Sequence, residues 1–419
     1  MKKIESCDIE RVAEKYGDSF YILDTDLFEK NYISLQSEMR KYYEKTVISY
    51  SYKTNYIPRL CEIVEQLGGY AEVVSDMERS LALEIGVSHE KIVFNGPYKK
   101  KEALLEAISS GEMVNIDSEY DLDIVFDYAR TNQDKKMSIG IRCNFDVNDG
   151  VCSRFGMDVE SPEFRQCLDE INNIPNLTLQ GLHCHFASRA LDIWRNKVTK
   201  MLELLDQLQI NNLKYVSVGG GIFGQMDEML KQQFSVSIPN FCDYAEVIAK
   251  PFGEYYKDCA EQDRPILFLE PGSALVGNAM RFVAKVINIK NIRGKDIATL
   301  TGSVYNINPT LNGKNPPIQI VGKDGVAYEN VDFAGYTCIE SDYLYKGYSG
   351  KLAVGNYVVF GNVGSYSVVL KPPFILPNFS IVEFIGDEIV EIKKAEQFRD
   401  IFATYHFTKE KTDYEYYNR

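Results

Sequence analysis

The residues able to do chemistry sit at the ends of short apolar runs. Lys53 follows a stretch beginning Thr46-Val47-Ile48, whose β-branched residues read as a buried strand. An ammonium at the carboxyl end of such a strand must be solvated, paired or converted. Snorkelling to water is one reading. A Schiff base with an aldehyde cofactor is the other, because a desolvated amine beside cations loses its proton and becomes a nucleophile. Gly219-Gly220-Gly221 ends a second run. Three glycines let backbone N–H groups approach a phosphate, although such a run also serves as a plain turn. Glu270, before Pro271-Gly272-Ser273, offers a carboxylate that can pair with a protonated ring nitrogen. In His183-Cys184-His185 strand alternation puts both imidazoles on one face. That pair suits stacking on a ring, packing in a barrel, or zinc. His89 and His406 are far away in sequence and no carboxylate stands at metal spacing, so no metal is expected.

Regular elements must position these groups. Phe20 to Leu23 is a short strand, Asp24 and Thr25 offer helix caps, and Leu27 to Glu44 carries a helical pattern. Strand candidates follow at 46–52, 69–74, 92–95, 113–117, 137–143, 178–185, 214–218 and 265–270. Amphipathic stretches such as Met77 to Glu84 and Val198 to Leu208 lie between them. Eight strands alternating with helices over about 250 residues predict an α/β fold, a closed (β/α)8 TIM-like barrel rather than a doubly wound sheet. After residue 280 strands dominate: Phe282 to Ile289, Ile297 to Thr301, Pro317 to Val321, Gly335 to Cys338, Tyr357 to Phe360, Tyr366 to Leu370 and Ile381 to Ile385. Helix returns at Ala395 to Tyr405. The expected division is a barrel over 25–280 and a β domain over 1–24 and 281–419. The first strand, read as having no helix before it, completes the β domain. The tail, Thr408 to Arg419, reads as peripheral.

Composition narrows the class. The chain has 419 residues, enough for two domains and a large core. A net charge of -14 argues against nucleic acid or an anionic membrane as partner. Nine cysteines without a CxxC pair suggest reduced thiols in a cytoplasm. The charged start lacks a signal core, and no apolar run reaches membrane-span length.

Together the motifs resemble fold-type III pyridoxal-phosphate enzymes of the alanine racemase-like architecture, and most closely the diaminopimelate/ornithine decarboxylase group. They are Ser51-Tyr52-Lys53-Thr54-Asn55, Ser75 with Glu78, Ser153-Arg154-Phe155-Gly156, and His183-Cys184-His185 with Ser188. Gly219-Gly220-Gly221, Glu270-Pro271-Gly272, Cys338 with Asp342, and Gly364-Ser365-Tyr366 complete the set in the family's order. The resemblance implies an amino-acid decarboxylase with pyridoxal 5'-phosphate on Lys53. Glu270 would keep the ring nitrogen protonated, and His185 would stack on the ring. Gly219, Gly220, Gly221, Ser188, Gly272 and Tyr366 would surround the phosphate, with Arg154 near the lysine. Cys338 would come from the partner subunit and help protonate the product carbon. This implies an obligate homodimer with shared sites.

Departures fall on substrate recognition. Ser273 stands where the family commonly has Arg. Asn308 and Asn312 stand where diaminopimelate decarboxylases carry an Arg and a Tyr. Ile339 replaces the acid after the reactive cysteine, as in carboxynorspermidine decarboxylases, and Glu340 is displaced by one; Ala187 replaces a usual Gly. Losing a guanidinium removes a planar fork suited to carboxylates. The expected substrate is therefore an uncommon diamino acid or a conjugate of one, from polyamine, siderophore or other specialised metabolism. It would meet Asn308, Asn312, Glu340, Asp342 and Tyr366. The alternatives are diaminopimelate itself in lysine biosynthesis, a racemase on the same barrel, and an inactive regulatory relative. Retention of Lys53, Glu270 and Cys338 argues against the last.

Overall fold

The computed structural model describes residues 5–210 and 213–407. The tail from Thr408 lies outside them. The chain forms two sheets. The first is the barrel, built from β2 (Thr46–Ser51), β3 (Tyr70–Val73), β4 (Ile92–Phe94), β5 (Met113–Ile116) and β6 (Met137–Asn144), then β8 (Leu177–His183), β9 (Tyr215–Ser217) and β10 (Ile266–Leu269). All neighbours pair in parallel, β10 pairs back onto β2, and β5 pairs with β6, which closes the ring. A two-residue strand, β7 (Met157–Asp158), hangs on β6. The crossover helices are α3 (Pro58–Gln66), α4 (Asp76–Glu84), α5 (Lys101–Ser109), α6 (Glu119–Thr131), α7 (Pro162–Asn173) and α8 (Leu191–Leu208). α2 (Thr25–Arg40) leads into β2, and Asp24 caps it by accepting from Leu27 N–H.

The strands close because their runs are buried on both faces, as parallel sheets require. Inside the barrel the Tyr215 ring fills the lumen. A Cβ on Gly140 or Gly181 would lie 2.1 or 2.2 Å from that ring and its hydroxyl, so both positions must lack a side chain.

The second sheet runs β15 (Tyr343–Leu352), β14 (Val326–Ala334), β12 (Lys295–Leu300), β11 (Met280–Ile292), β1 (Ser19–Leu23), β17 (Ile381–Ile385), β18 (Glu388–Lys393). β16 (Tyr357–Phe360) pairs with β11 and with β13 (Ile318–Val321). β1 pairs antiparallel with β11 and parallel with β17, so the N-terminal strand does complete this sheet.

Four expectations need correction. A helix does precede β1: α1 (Ser6–Tyr16) packs Ile9 and Val12 onto Phe20, Ile22 and Val283. Gly335 to Cys338 is a loop, because the N–H groups of Gly335, Tyr336 and Thr337 donate to Asp342 and Gly302 instead of forming a ladder. Tyr366 to Leu370 is also a turn, with Tyr366 at φ 64° and Leu370 N–H bonded to Tyr366 C=O. The last helix is shorter than expected, Phe398–Phe402.

Candidate active site

Lys53 lies in a single 3-10 turn, Tyr52–Thr54, just past β2. Its Nζ ion-pairs with Glu72, at the end of β3. Ser51 Oγ donates to the same carboxylate at 2.5 Å. Burial pulls the Lys53 pKa down, but the charges of Glu72 and Glu270 outweigh it and hold the amine protonated.

Glu270 follows β10 and is fully enclosed. Its Oε1 accepts from Ser217 Oγ at 2.8 Å and Asn95 Nδ2 at 3.1 Å, and its Oε2 faces His183 Nε2 at 3.1 Å. Burial alone would raise the Glu270 pKa; His183, then Lys53 and His185, more than reverse that and keep it ionised. A relay supports both acids from below. Tyr215 OH donates to Asn115, Asn115 Nδ2 to Asn95, and Asn95 Nδ2 to Glu72 and Glu270.

His183 ends β8, and His185 sits two residues beyond in the loop rather than on the strand. Both rings still turn toward Glu270, His185 Nδ1 at 4.0 Å. His185 Nδ1 accepts the Gly220 N–H at 2.9 Å, which assigns the ring proton to Nε2. Burial and the Lys53 charge push its pKa well down, so this imidazole is neutral.

The glycine run follows β9. Gly219 and Gly221 have φ of 67° and 93°, and a Cβ on Gly220 would lie 2.4 Å from Glu270 C=O. The loop is thus wedged between the ends of β8 and β10, with Ser188 C=O 3.0 Å from the Cβ position of Gly221. Gly272 abuts Thr54, the neighbour of Lys53, and Tyr366 N–H bonds Thr54 C=O at 2.9 Å. One turn therefore gathers Lys53, Gly272 and Tyr366.

Other expected residues fall elsewhere. Arg154 is exposed and lies over the Phe155 ring at 4.1 Å. The guanidinium buried near the site is that of Arg142, which pairs with Asp117 at 2.9 Å and donates to His185 C=O at 3.3 Å. Cys338 is an exposed free thiol in the β-sheet region. Asp342, expected at the substrate, is buried and has both oxygens engaged, one accepting from Ser303 Oγ and Val304 N–H at the start of the Val304–Ile307 helix and the other from Thr337 on its own loop. Asn308 Nδ2 donates to Asn312 Oδ1 at 3.3 Å, and Glu340 is exposed. Ser75 with Glu78 is a helix start: Ser75 Oγ accepts Glu78 N–H, and Glu78 reaches back to Val74 N–H. Sequence reasoning missed Glu72, Asn95 and Ser217, which share the site only because their strands are neighbours or face each other across the lumen.

The donor set fits pyridoxal phosphate. It offers one amine, a buried carboxylate kept ionised, a neutral imidazole beside it and a glycine loop at the same end of the barrel. A parallel eight-stranded barrel with this constellation at its carboxyl ends and a separate mixed sheet defines a class, the fold-type III pyridoxal-phosphate enzymes. Residues 29–277 match the family described as pyridoxal-dependent decarboxylase, pyridoxal binding domain, and the chain belongs to that family. It is a pyridoxal-phosphate-dependent amino-acid decarboxylase. It is 27% identical to a probable chloroplastic diaminopimelate decarboxylase of Oryza sativa, over 94% of this chain and 81% of the relative. It is 25% identical to the diaminopimelate decarboxylase of Aquifex aeolicus, over 94% and 93%. The solved diaminopimelate decarboxylase from M. jannaschii shares the fold, with a TM-score of 0.84 at 24% identity over 95% of this chain and 94% of that one. No helix among the described residues is long and apolar enough to cross a membrane.

Proposed function

We propose that this enzyme decarboxylates a diamino acid of the diaminopimelate type. Similarity along nearly the whole chain to diaminopimelate decarboxylases of a plant and a bacterium is the observation that supports this reading most. The barrel, residues 25–280, carries the cofactor; the β domain, 1–24 with 281–419, completes the site. Lys53 holds the cofactor covalently. Gly221, Ser188, Gly272 and Tyr366 would bind its phosphate, on a loop that Gly219 and Gly220 shape while their own N–H groups donate to Ser217 and His185. Once bound, pyridoxal phosphate supplies an electron sink for the carbon that loses CO2. Glu270 holds a proton at the ring nitrogen, and its three donors keep that carboxylate oriented and charged. His185, neutral, would face the ring without adding a competing charge. Glu72 keeps Lys53 aimed into the barrel. Cys338, contributed by the second copy of an obligate homodimer, delivers a proton to the product carbon. The compartment is the cytoplasm. Mixing inactive Lys53→Ala and Cys338→Ala chains restores turnover if the sites are shared; no recovery in mixed dimers sinks the shared site.

A second reading keeps this chemistry and changes the far end of the substrate. Asn308 and Asn312 bond each other as neutral amides, and Ser273 and Ile339 add neither charge nor fork. This favours a conjugated diamino acid over a free second amino-acid head. A neutral amide in place of a guanidinium forfeits a charge-assisted hydrogen bond worth about 1.5–3 kcal/mol. Steady-state kinetics with meso-diaminopimelate, L-lysine, L-ornithine and their N-acylated forms separates the two. Efficient turnover of meso-diaminopimelate excludes the second reading; preference for conjugates excludes the first.

A further inference from the structure

Lys197 is a buried cation that none of the chemistry above uses. It lies on α8, facing the glycine loop, and is 1% exposed. Its Nζ donates to Gly220 C=O at 3.4 Å and sits 3.1 Å from the centroid of the Trp194 ring. Among the described residues no carboxylate lies within ion-pair distance of it. An ammonium enclosed without a counter-charge is costly. Burial accordingly lowers its pKa to about 7, although Cys184 and Glu270 pull upward.

The neighbouring contacts show what this charge touches. The Gly220 C=O belongs to the same peptide group as the Gly221 N–H. One residue along, Trp194 Nε1 donates to Gly221 C=O at 2.8 Å, and that carbonyl shares its peptide group with the Ile222 N–H. So two side chains from one face of α8 hold the carbonyl ends of two successive peptide groups. Among the described residues the N–H ends of those groups meet no backbone or side-chain acceptor. A donor at the carbonyl polarises an amide and makes its N–H a stronger donor. Successive free N–H groups form an anion-binding concavity. A cation behind that concavity supplies the charge that a dianionic ester requires.

We propose that Lys197 is a positioning residue for the cofactor's phosphate, acting through the Gly220–Gly221 peptide group rather than by touching the ester, and that the phosphate is its missing counter-charge. This rests on the glycine loop being the phosphate site. The proposal separates the ester from the rest of the cofactor. Lys197 discriminates pyridoxal 5'-phosphate from pyridoxal and leaves the lysine chemistry at Lys53 alone.

The test strips the cofactor from the full chain and titrates it with pyridoxal 5'-phosphate and, separately, with pyridoxal. Lys197→Met keeps the length and removes the charge. Its affinity for the phosphate ester falls about ten- to hundredfold, the worth of one charge-assisted contact, and its affinity for pyridoxal stays within about threefold. The cofactor-free variant melts no lower than the unmodified chain, because a buried unpaired charge is gone, while its gain in Tm on adding the ester shrinks. In the loaded variant the phosphorus resonance of the ester titrates at higher pH than in the unmodified protein. The titratable groups facing Lys197, Cys184, His185 and Glu270, are the same in both chains, and burial and charge hold them away from that range: the thiol is pushed up, the imidazole stays neutral and the carboxylate stays ionised. Gly221→Ala, strained at φ 93°, tests the loop itself. If Gly221→Ala weakens the ester selectively and Lys197→Met does not, the inference about Lys197 is overturned alone. If neither variant separates ester from pyridoxal, the phosphate assignment of the loop falls and Lys197 with it.

Discussion

Glu270→Gln isolates one charge with little change of shape. Three donors converge on the carboxylate. The glutamine oxygen can keep the Ser217 and Asn95 bonds at the Oε1 position. Its amide nitrogen then faces His183 Nε2. That ring can adapt, because Nδ1 of His183 is buried without a partner among the described residues and can carry the proton instead. The fold therefore loses about one charge-assisted bond, leaves one buried N–H unmatched, and is relieved of a buried charge. The net cost is about 1–3 kcal/mol, and the cofactor still binds. Turnover suffers more. At an effective dielectric of about 20, a full charge about 4 Å away contributes roughly 4 kcal/mol. Lowering the preference for a protonated ring nitrogen by that amount approaches three decades in rate, and partial compensation by His183 reduces it. We expect kcat for decarboxylation to fall about 100- to 1000-fold, with cofactor content unchanged. The assay is CO2 release under saturating substrate, with absorbance recording cofactor occupancy. A variant within about threefold of the parent in kcat, with full occupancy, would falsify the role given to Glu270.

Three further outcomes follow from the same geometry. Borohydride reduction of the loaded enzyme places a pyridoxyl group on Lys53 by peptide mass spectrometry; label on any other lysine removes Lys53 from the mechanism. Gly272→Ala drives a Cβ to 2.0 Å from Thr54 Oγ1 and 2.5 Å from Thr54 Cβ and lowers stability by about 1–3 kcal/mol, measured by denaturant unfolding; adding Thr54→Gly, which removes both atoms, makes the two losses less than additive, and strictly additive losses would disprove the contact. Burial pushes the Glu78 carboxyl up to about 7, against the Val74 N–H and with help from Glu72. The folded state then holds a proton that the unfolded chain releases near 4.5, so this group's contribution is full below that pH and lost as pH rises through about 7. Glu78→Gln keeps the bond to Val74 and flattens that decline in unfolding free energy; an unchanged slope rejects the assignment.

The barrel was legible in the sequence because its strands are buried on both faces. Their apolar β-branched runs, at 46–48, 92–94 and 266–269, need no partner to be recognised. The chemistry at strand ends was legible too, since Lys53, Glu270 and the glycine run each close such a run. The β domain was harder. β14 and β15 are largely solvent-exposed along Val326–Asn330 and Lys346–Lys351, and their polar pattern gives no periodic signal. They exist as strands because they pair with each other and β14 with β12. Conversely, Tyr366 to Leu370 has strand-like composition, but Tyr366 at φ 64° and the Leu370 N–H bond to Tyr366 C=O fold it back on itself, and the chain turns there. α1 did carry a helical signal, Ile9, Val12, Ala13 and Tyr16, which the charged residues between them obscured.

Within the site, composition gave the amine, the acid and the imidazoles one by one. Only closure of the barrel decided what surrounds them. Glu72, Asn95, Ser217 and Glu270 stand at or just past the ends of four separate strands and meet because positions at one height of a closed barrel face one another. The same closure brings α8 behind the glycine loop and leaves Lys197 there without a carboxylate in ion-pair distance among the described residues. Residue type determined which groups could act; the distances that make Glu270 charged, His185 neutral and Lys53 paired are set by contacts between residues far apart in the chain, and no local pattern encodes them.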